Sequence, residues 1–248
     1  MGAPFKRKHF CKRSDFMKNE LPYFKIGESI GGQQHWHPEF MMRLGGCAAV
    51  SACDCCIYFE LYKNLRGLYP FDLKNLTQED YINFSSEMRP YLFPRWQGVY
   101  KLQTYVDGFT KFLRDHGENS LQLSAWDGGY GFRETHMLLK YQIDGGYPVP
   151  CLTLLHQNPT LKKYTWHWFL LTGYEISGDD WLVRVTSYGV ERWFNFDLLW
   201  DTGFAQKGGL IVFQNQKGGY HAKIYPCRHI FNRQLYSQSG VRAHTRAG

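Results

Sequence analysis

Apolar residues recur along this chain with two different periods, and the change from one to the other divides it. Ala48, Ala49, Val50, Cys53, Ile57 and Leu61 follow at three- and four-residue intervals, as do Val99, Leu102, Val106, Phe109 and Leu113, and both series predict helices with one buried face. The first helix leaves the Gly45-Gly46 corner at Cys47 and ends near Gly67; the second is closed by His116-Gly117, a C-terminal stop. Thr77-Gln78-Glu79-Asp80 opens another helix by capping. Glu39 to Leu44 forms a short helical turn, and Arg133 to Ile143 a helix that stops at Gly145-Gly146.

Beyond that stop the period is that of strands. Tyr147 to Leu155, Trp166 to Tyr174, Trp181 to Ser187, Arg192 to Phe196 and Leu210 to Phe213 are aromatic or β-branched runs separated by Gly- and Asp-containing turns, which predicts an antiparallel sheet. Helices first and sheet second argue an α+β fold. At the N-terminus, residues 1–20 are basic and polar and read as a flexible arm, and Leu21 to Ile26 as a short extended segment where the domain begins. Ser237 to Gly248 has no apolar pattern and is expected to be disordered. The expected organisation is therefore an arm over 1–20, a helical lobe over 21–146, a β lobe over 147–236 and a tail over 237–248.

Composition narrows the class. With 248 residues, 44% of them hydrophobic and 17% aromatic, the chain suffices for one large domain or two closely packed lobes. The formal charge of +7 is dispersed apart from Lys6-Arg7-Lys8 and Lys12-Arg13, and no zinc-finger, RRM or KH pattern accompanies it, so no nucleic-acid partner is expected. Seven irregularly spaced cysteines, with no apolar leader before them, fit a reducing cytoplasm better than a disulfide scaffold. No run is long enough to span a bilayer, so no membrane association is expected.

Two stretches carry candidate chemistry. In Leu44-Gly45-Gly46-Cys47-Ala48-Ala49 a glycine turn delivers a cysteine to the first turn of a helix, where unpaired amides and the dipole would lower its pKa and favour the nucleophilic thiolate. An activated thiol needs a base, and His167 stands at the entrance of the strand His167-Trp168-Phe169-Leu170-Leu171-Thr172-Gly173-Tyr174. Cys53, Cys55 and Cys56, with His35 and His37 upstream, are a weaker metal candidate: helical geometry points Cys55 away from the other two, and zinc is not expected. His35-Trp36-His37 reads better as a cleft wall.

Gly46-Cys47-Ala48 followed by His167 to Tyr174 resembles the papain-like cysteine peptidases, and especially their bacterial C39-like branch. The resemblance spans roughly residues 21 to 215. It implies a helical lobe and a sheet lobe with the cleft between them. It also implies a glutamine upstream of the cysteine that supplies an oxyanion donor, here Gln34 with Gln33 second, although the interval to Cys47 is longer than that family's. A residue after the next strand should orient the histidine. Thr186 of Thr186-Ser187-Tyr188-Gly189 aligns where asparagine is usual, with Ser187, Asn195 and Asp197 as alternatives. The implied activity is hydrolysis of a peptide or protein substrate through a Cys47 acyl-enzyme, with His167 as general acid and base and no cofactor. An acyltransferase on the same machinery, or a non-catalytic binding module on a decayed peptidase fold, are the alternatives.

Overall fold

The computed structural model describes residues 16–216, so the basic segment before Phe16 and the tail over 237–248 lie outside the described residues. In chain order the elements are β1 (Met17–Glu20), β2 (Lys25–Ile26), β3 (Ser29–Ile30), α1 (Phe40–Gly45), α2 (Cys47–Lys63), α3 (Gln78–Met88), α4 (Leu102–Asp115), β4 (Leu121–Asp127), α5 (Phe132–Asp144), β5 (Val149–Thr153), β6 (His167–Ser177), β7 (Asp180–Ser187), β8 (Val190–Asn195), α6 (Phe196–Trp200) and β9 (Gly208–Asn215). The fold is α+β, with helices packed on an antiparallel sheet.

Local chemistry sets the helix ends. The Thr77 hydroxyl accepts from the Asp80 backbone N–H at 3.1 Å and starts α3. Asn64, in the left-handed region at φ 55°, returns its N–H to the Phe59 carbonyl and ends α2. α4 buries Tyr105, Val106, Phe109, Phe112 and Leu113, the face its periodicity predicts, although it begins at Leu102 and leaves Val99 outside. α2 departs from expectation: every residue from Cys47 to Phe59 except Val50 is buried, so it is a core helix and not an amphipathic one.

The main sheet runs β4-β9-β5-β6-β7-β8, with β1 also paired to β6, and β2 and β3 form a separate hairpin. Every pairing is antiparallel. β6 is buried from His167 through Tyr174, hence on both faces. The sheet crosses the boundary expected at 146. β4, from the stretch read as helix-dominated, pairs with β9, and Met17–Glu20, read as part of a flexible arm, is a strand in register with Gly173–Ile176.

A buried guanidinium ties these parts together. Arg184 on β7 is 6% exposed; it donates through Nε to Thr172 Oγ1 at 3.0 Å, through Nη1 to Glu20 Oε2 at 2.8 Å and through Nη2 to the Leu21 carbonyl at 2.5 Å. Among the described residues no helix is long and apolar enough to cross a membrane.

Candidate functional site

Cys47 is the first residue of α2 and His167 the first of β6, and the two line one small cavity of about 20 Å³, room for about one water molecule, together with Gln34, Asp54, Ser187 and Tyr188. A wider depression of about 500 Å³, lined by Glu28, Ser29, Trp36 and Thr77, shares Gln33 with it. The backbone amides of Trp168, the residue after His167, and of Ala48 and Cys47 in the first helical turn lower the Cys47 pKa. These donors favour the thiolate, but burial outweighs them and raises the thiol above its ordinary pKa. The lowered value expected from the helix dipole is therefore corrected: the dipole is present, and desolvation wins.

His167 is 5% exposed, and its Nε2 meets Ser187 Oγ at 2.8 Å. Burial, with a smaller contribution from His35, pushes its pKa down to about 3, so the ring is neutral at pH 7. Ser187 occupies Nε2, and any proton exchanged with Cys47 must pass through Nδ1. The structure pairs the ring with Ser187. Thiol and imidazole thus rest as neutral groups facing one cavity.

Two strained residues frame the imidazole. Among the described residues only Asn64, Trp166 and Tyr188 are non-glycine residues with positive φ, and a bulky aromatic side chain there is uncommon. Trp166, at φ 52°, turns the chain into β6 immediately before His167. Tyr188, also at φ 52°, and Gly189, at φ 74°, form the two-residue hairpin turn between β7 and β8. That turn lays the Tyr188 ring on His167, with centroids 4.4 Å apart and planes 4° apart, and His35 stacks on Tyr188 in turn. Burial raises the Tyr188 phenol to about 12, so its ring covers the imidazole as a neutral group.

The remaining expected residues separate into those the fold brings to the cavity and those it does not. Gln34 arrives because a 3-10 turn (Gln34–Trp36) and α1 fill the long interval before Cys47 and fold the chain back; its Nε2 donates to the Arg43 carbonyl at 2.9 Å, while Oε1 is buried without a partner. Gln33 also lines the cavity, but its amide donates to Ser29 Oγ at 2.9 Å. Thr186 borders the cavity, yet its hydroxyl pairs with Thr172 Oγ1 at 2.8 Å, so the hydroxyl that meets His167 is that of Ser187. Asn195 caps α6 and Asp197 pairs with His136, which removes both as orienters. Cys53, Cys55 and Cys56 are wholly buried thiols, and no group of three His, Cys, Asp or Glu side chains among the described residues gathers as a metal site.

Sequence reasoning missed Tyr188 and Asp54. Tyr188-Gly189 between two alternating runs is a tight-hairpin signal, and an acid inside the apolar stretch Ala52-Cys53-Asp54-Cys55-Cys56 marks a carboxylate that the fold must bury. No protein-family model matches the chain, and no curated protein matches it.

Proposed function

We propose that this chain is a thiol hydrolase of papain-like, C39-like type that cleaves a peptide or related amide bond through a Cys47 acyl-enzyme. The observation that carries the reading is the meeting, at one cavity, of a helix-start thiol and a strand-start imidazole from distant segments. In this reading the α2 side and the β6–β7 side are the two walls of a cleft.

The pKa shifts favour one form of the mechanism. A neutral imidazole facing a neutral thiol acts as a general base during attack, not as half of a preformed ion pair. His167 Nδ1 takes the thiol proton as sulfur bonds to the carbonyl carbon, and the same proton passes to the leaving amine as the C–N bond breaks. A water then attacks the thioester, giving its proton to His167, and the thiol is restored as the acid leaves. Ser187 holds the ring through Nε2. The negative oxygen of each tetrahedral intermediate is served by the Cys47 amide and by the second N–H of Gln34. Substrate reaches the site past Gln33 from the wider depression.

The raised thiol and the water-sized cavity favour one second reading, a binding module whose Cys47 is inert. Iodoacetamide at pH 7 separates the two. Stoichiometric modification of Cys47 ahead of the other thiols, abolished in Cys47→Ala together with all turnover of a peptide substrate, supports the hydrolase. Modification of Cys47 no faster than of Cys53 or Cys151, or turnover surviving Cys47→Ala, overturns it.

A further inference from the structure

Asp54 stands two turns beyond Cys47 on α2, borders the same cavity and is buried. Its partners among the described residues are all neutral donors. Oδ1 accepts from the Tyr81 hydroxyl at 2.7 Å and from the Gly32 backbone N–H at 3.0 Å, and Oδ2 accepts from the Tyr23 hydroxyl at 3.0 Å. A carboxylate without a counter-charge is an expensive way to fill a helix–loop contact, which a neutral side chain could fill as well.

The place of these partners in the chain supplies a reason. Tyr23 precedes the β2–β3 hairpin and Gly32 follows it, one residue before Gln33 and two before Gln34. The turn is moulded to the carboxylate: Gly31 adopts φ 69°, and a Cβ there would lie 2.3 Å from Asp54 Oδ2. A Cβ at Gly32 would lie 1.8 Å from the Tyr81 ring that donates to the same carboxylate. Only a turn without side chains fits between α2 and α3 and still aims the Gly32 amide at Asp54.

We propose that Asp54 is a positioning residue for the oxyanion side of the site: by fixing the Gly31–Gly32 turn to the nucleophile's own helix, it sets where Gln34 stands relative to Cys47. The catalytic consequence rests on the thiol-hydrolase reading; the anchoring of the loop does not. Asp54 touches no reacting atom. Its effect passes through Gln34, so it should weaken steps that form an oxyanion and spare those that do not.

Two probes of Cys47 make that distinction. Acylation by 4-nitrophenyl acetate passes through a tetrahedral oxyanion, whereas alkylation by iodoacetamide is a direct displacement at carbon and needs only the thiol. Asp54→Ala is expected to slow acylation about 100-fold, the lower end of the range for loss of an oxyanion donor, and to leave alkylation within about twofold. Asp54→Asn, which keeps an acceptor for Gly32 and Tyr81, should recover acylation to within about fivefold. The double variant Asp54→Ala/Gln34→Ala should be no slower than the slower single variant. Hydrogen exchange at the amides of residues 32–34, read by mass spectrometry, should quicken in Asp54→Ala and return in Asp54→Asn. Asp54→Ser, polar but too short to reach Gly32, replaces Asp54→Ala if the latter does not fold. Equal losses in acylation and alkylation, independent multiplication with Gln34→Ala, or unchanged exchange at residues 32–34 would each overturn the proposal. Wild-type Cys47 that is never acylated sinks the hydrolase reading instead, and the exchange measurement then decides the anchoring alone.

Discussion

Two histidines in this molecule are built alike and placed differently. His136 on α5 has the better acid–base partner: its Nε2 meets Asp197 Oδ1 at 2.7 Å, and its ring stacks on Trp181 with centroids 4.2 Å apart and planes 4° apart. His167 has the same stacking, on Tyr188, but only a serine hydroxyl as partner. Judged by partners alone, the His–Asp pair looks more like catalytic machinery. Judged by surroundings, it does not, because His136 packs among the rings of Phe132, Trp181 and Phe196 beside a half-exposed carboxylate, whereas His167 lines a cavity that it shares with a thiol and an amide side chain. A carboxylate beside a histidine can be a structural ion pair as well as a catalytic one; a nucleophile lining the same cavity is what distinguishes a site.

The largest expected effect tests that contrast directly. His167→Ala should lower the rate of Cys47 acylation by roughly 10³-fold, the scale of losing a general base. His136→Ala should leave the rate within about twofold while lowering stability by about 1–2 kcal/mol, through loss of a half-exposed hydrogen bond and of ring packing. Parallel measurement of acylation kinetics and urea midpoints decides it. A rate loss in His136→Ala matching that in His167→Ala would reverse the comparison.

The pH dependence of stability sharpens it, because the cavity holds two groups displaced in opposite senses. The folded pKa of His167, about 3, lies below its unfolded value, so its contribution is complete above about pH 6.5 and is lost as pH falls toward 3. The folded pKa of Asp54 is pushed up to about 6 by burial, so its contribution is complete below about pH 4 and is lost as pH rises through 6. The groups facing Asp54 from neighbouring positions, Tyr23, Tyr81, Cys53 and Cys55, are themselves held neutral by burial and do not titrate in that window. Between pH 4 and 6 the contributions of His167 and Asp54 oppose each other. Relative to Asp54→Asn, wild type should therefore lose about 1.4 kcal/mol per pH unit as pH rises through that interval, measurable as a difference in urea unfolding free energy. Parallel stability curves for the two proteins would remove the carboxylate's raised pKa from the account of the site.

The smallest effect separates adjacent hydroxyls. Ser187→Ala should slow acylation about tenfold, the scale of one neutral hydrogen bond to the ring, with little change in stability. Thr186→Ala should leave the rate unchanged and cost about 1 kcal/mol, since its hydroxyl serves the buried Thr172–Arg184 cluster. The opposite pattern would restore Thr186 as the orienter.

That one-residue difference shows where the sequence stops being legible. α2 to α5 could be read from periodicity, caps and glycine stops, α1 only as a short turn, and Cys47 and His167 from the turn and strand that present them. The face of β7 could not be read, because a slip of one residue exchanges the sides of a strand and both candidates carry a hydroxyl. β4 alternates apolar and polar residues from Leu121 to Ala125, but it stands between two helices. β1, with Met-Lys-Asn-Glu, carries no apolar pattern at all; it is a strand because β6 and Arg184 offer it partners from far along the chain. The long interval from Gln34 to Cys47 is taken up by a 3-10 turn and α1, which no spacing rule in the sequence reveals.

The Arg184 cluster also bears on how much of this chain can be dispensed with. A shortened version beginning at Tyr23 would discard both Glu20 and the Leu21 carbonyl and strand a guanidinium inside the sheet, with Glu191 at 3.5 Å as its remaining carboxylate. Because Glu20 is itself 37% exposed, the loss of that ion pair is smaller than for a fully buried one, and the larger cost is the buried guanidinium left short of acceptors. The damage would begin at Thr172 and Thr186, next door to the serine that steadies the imidazole. For anyone trimming or tagging the protein, Met17 to Leu21 belongs with the working parts, and cleavable sequence is best placed ahead of it.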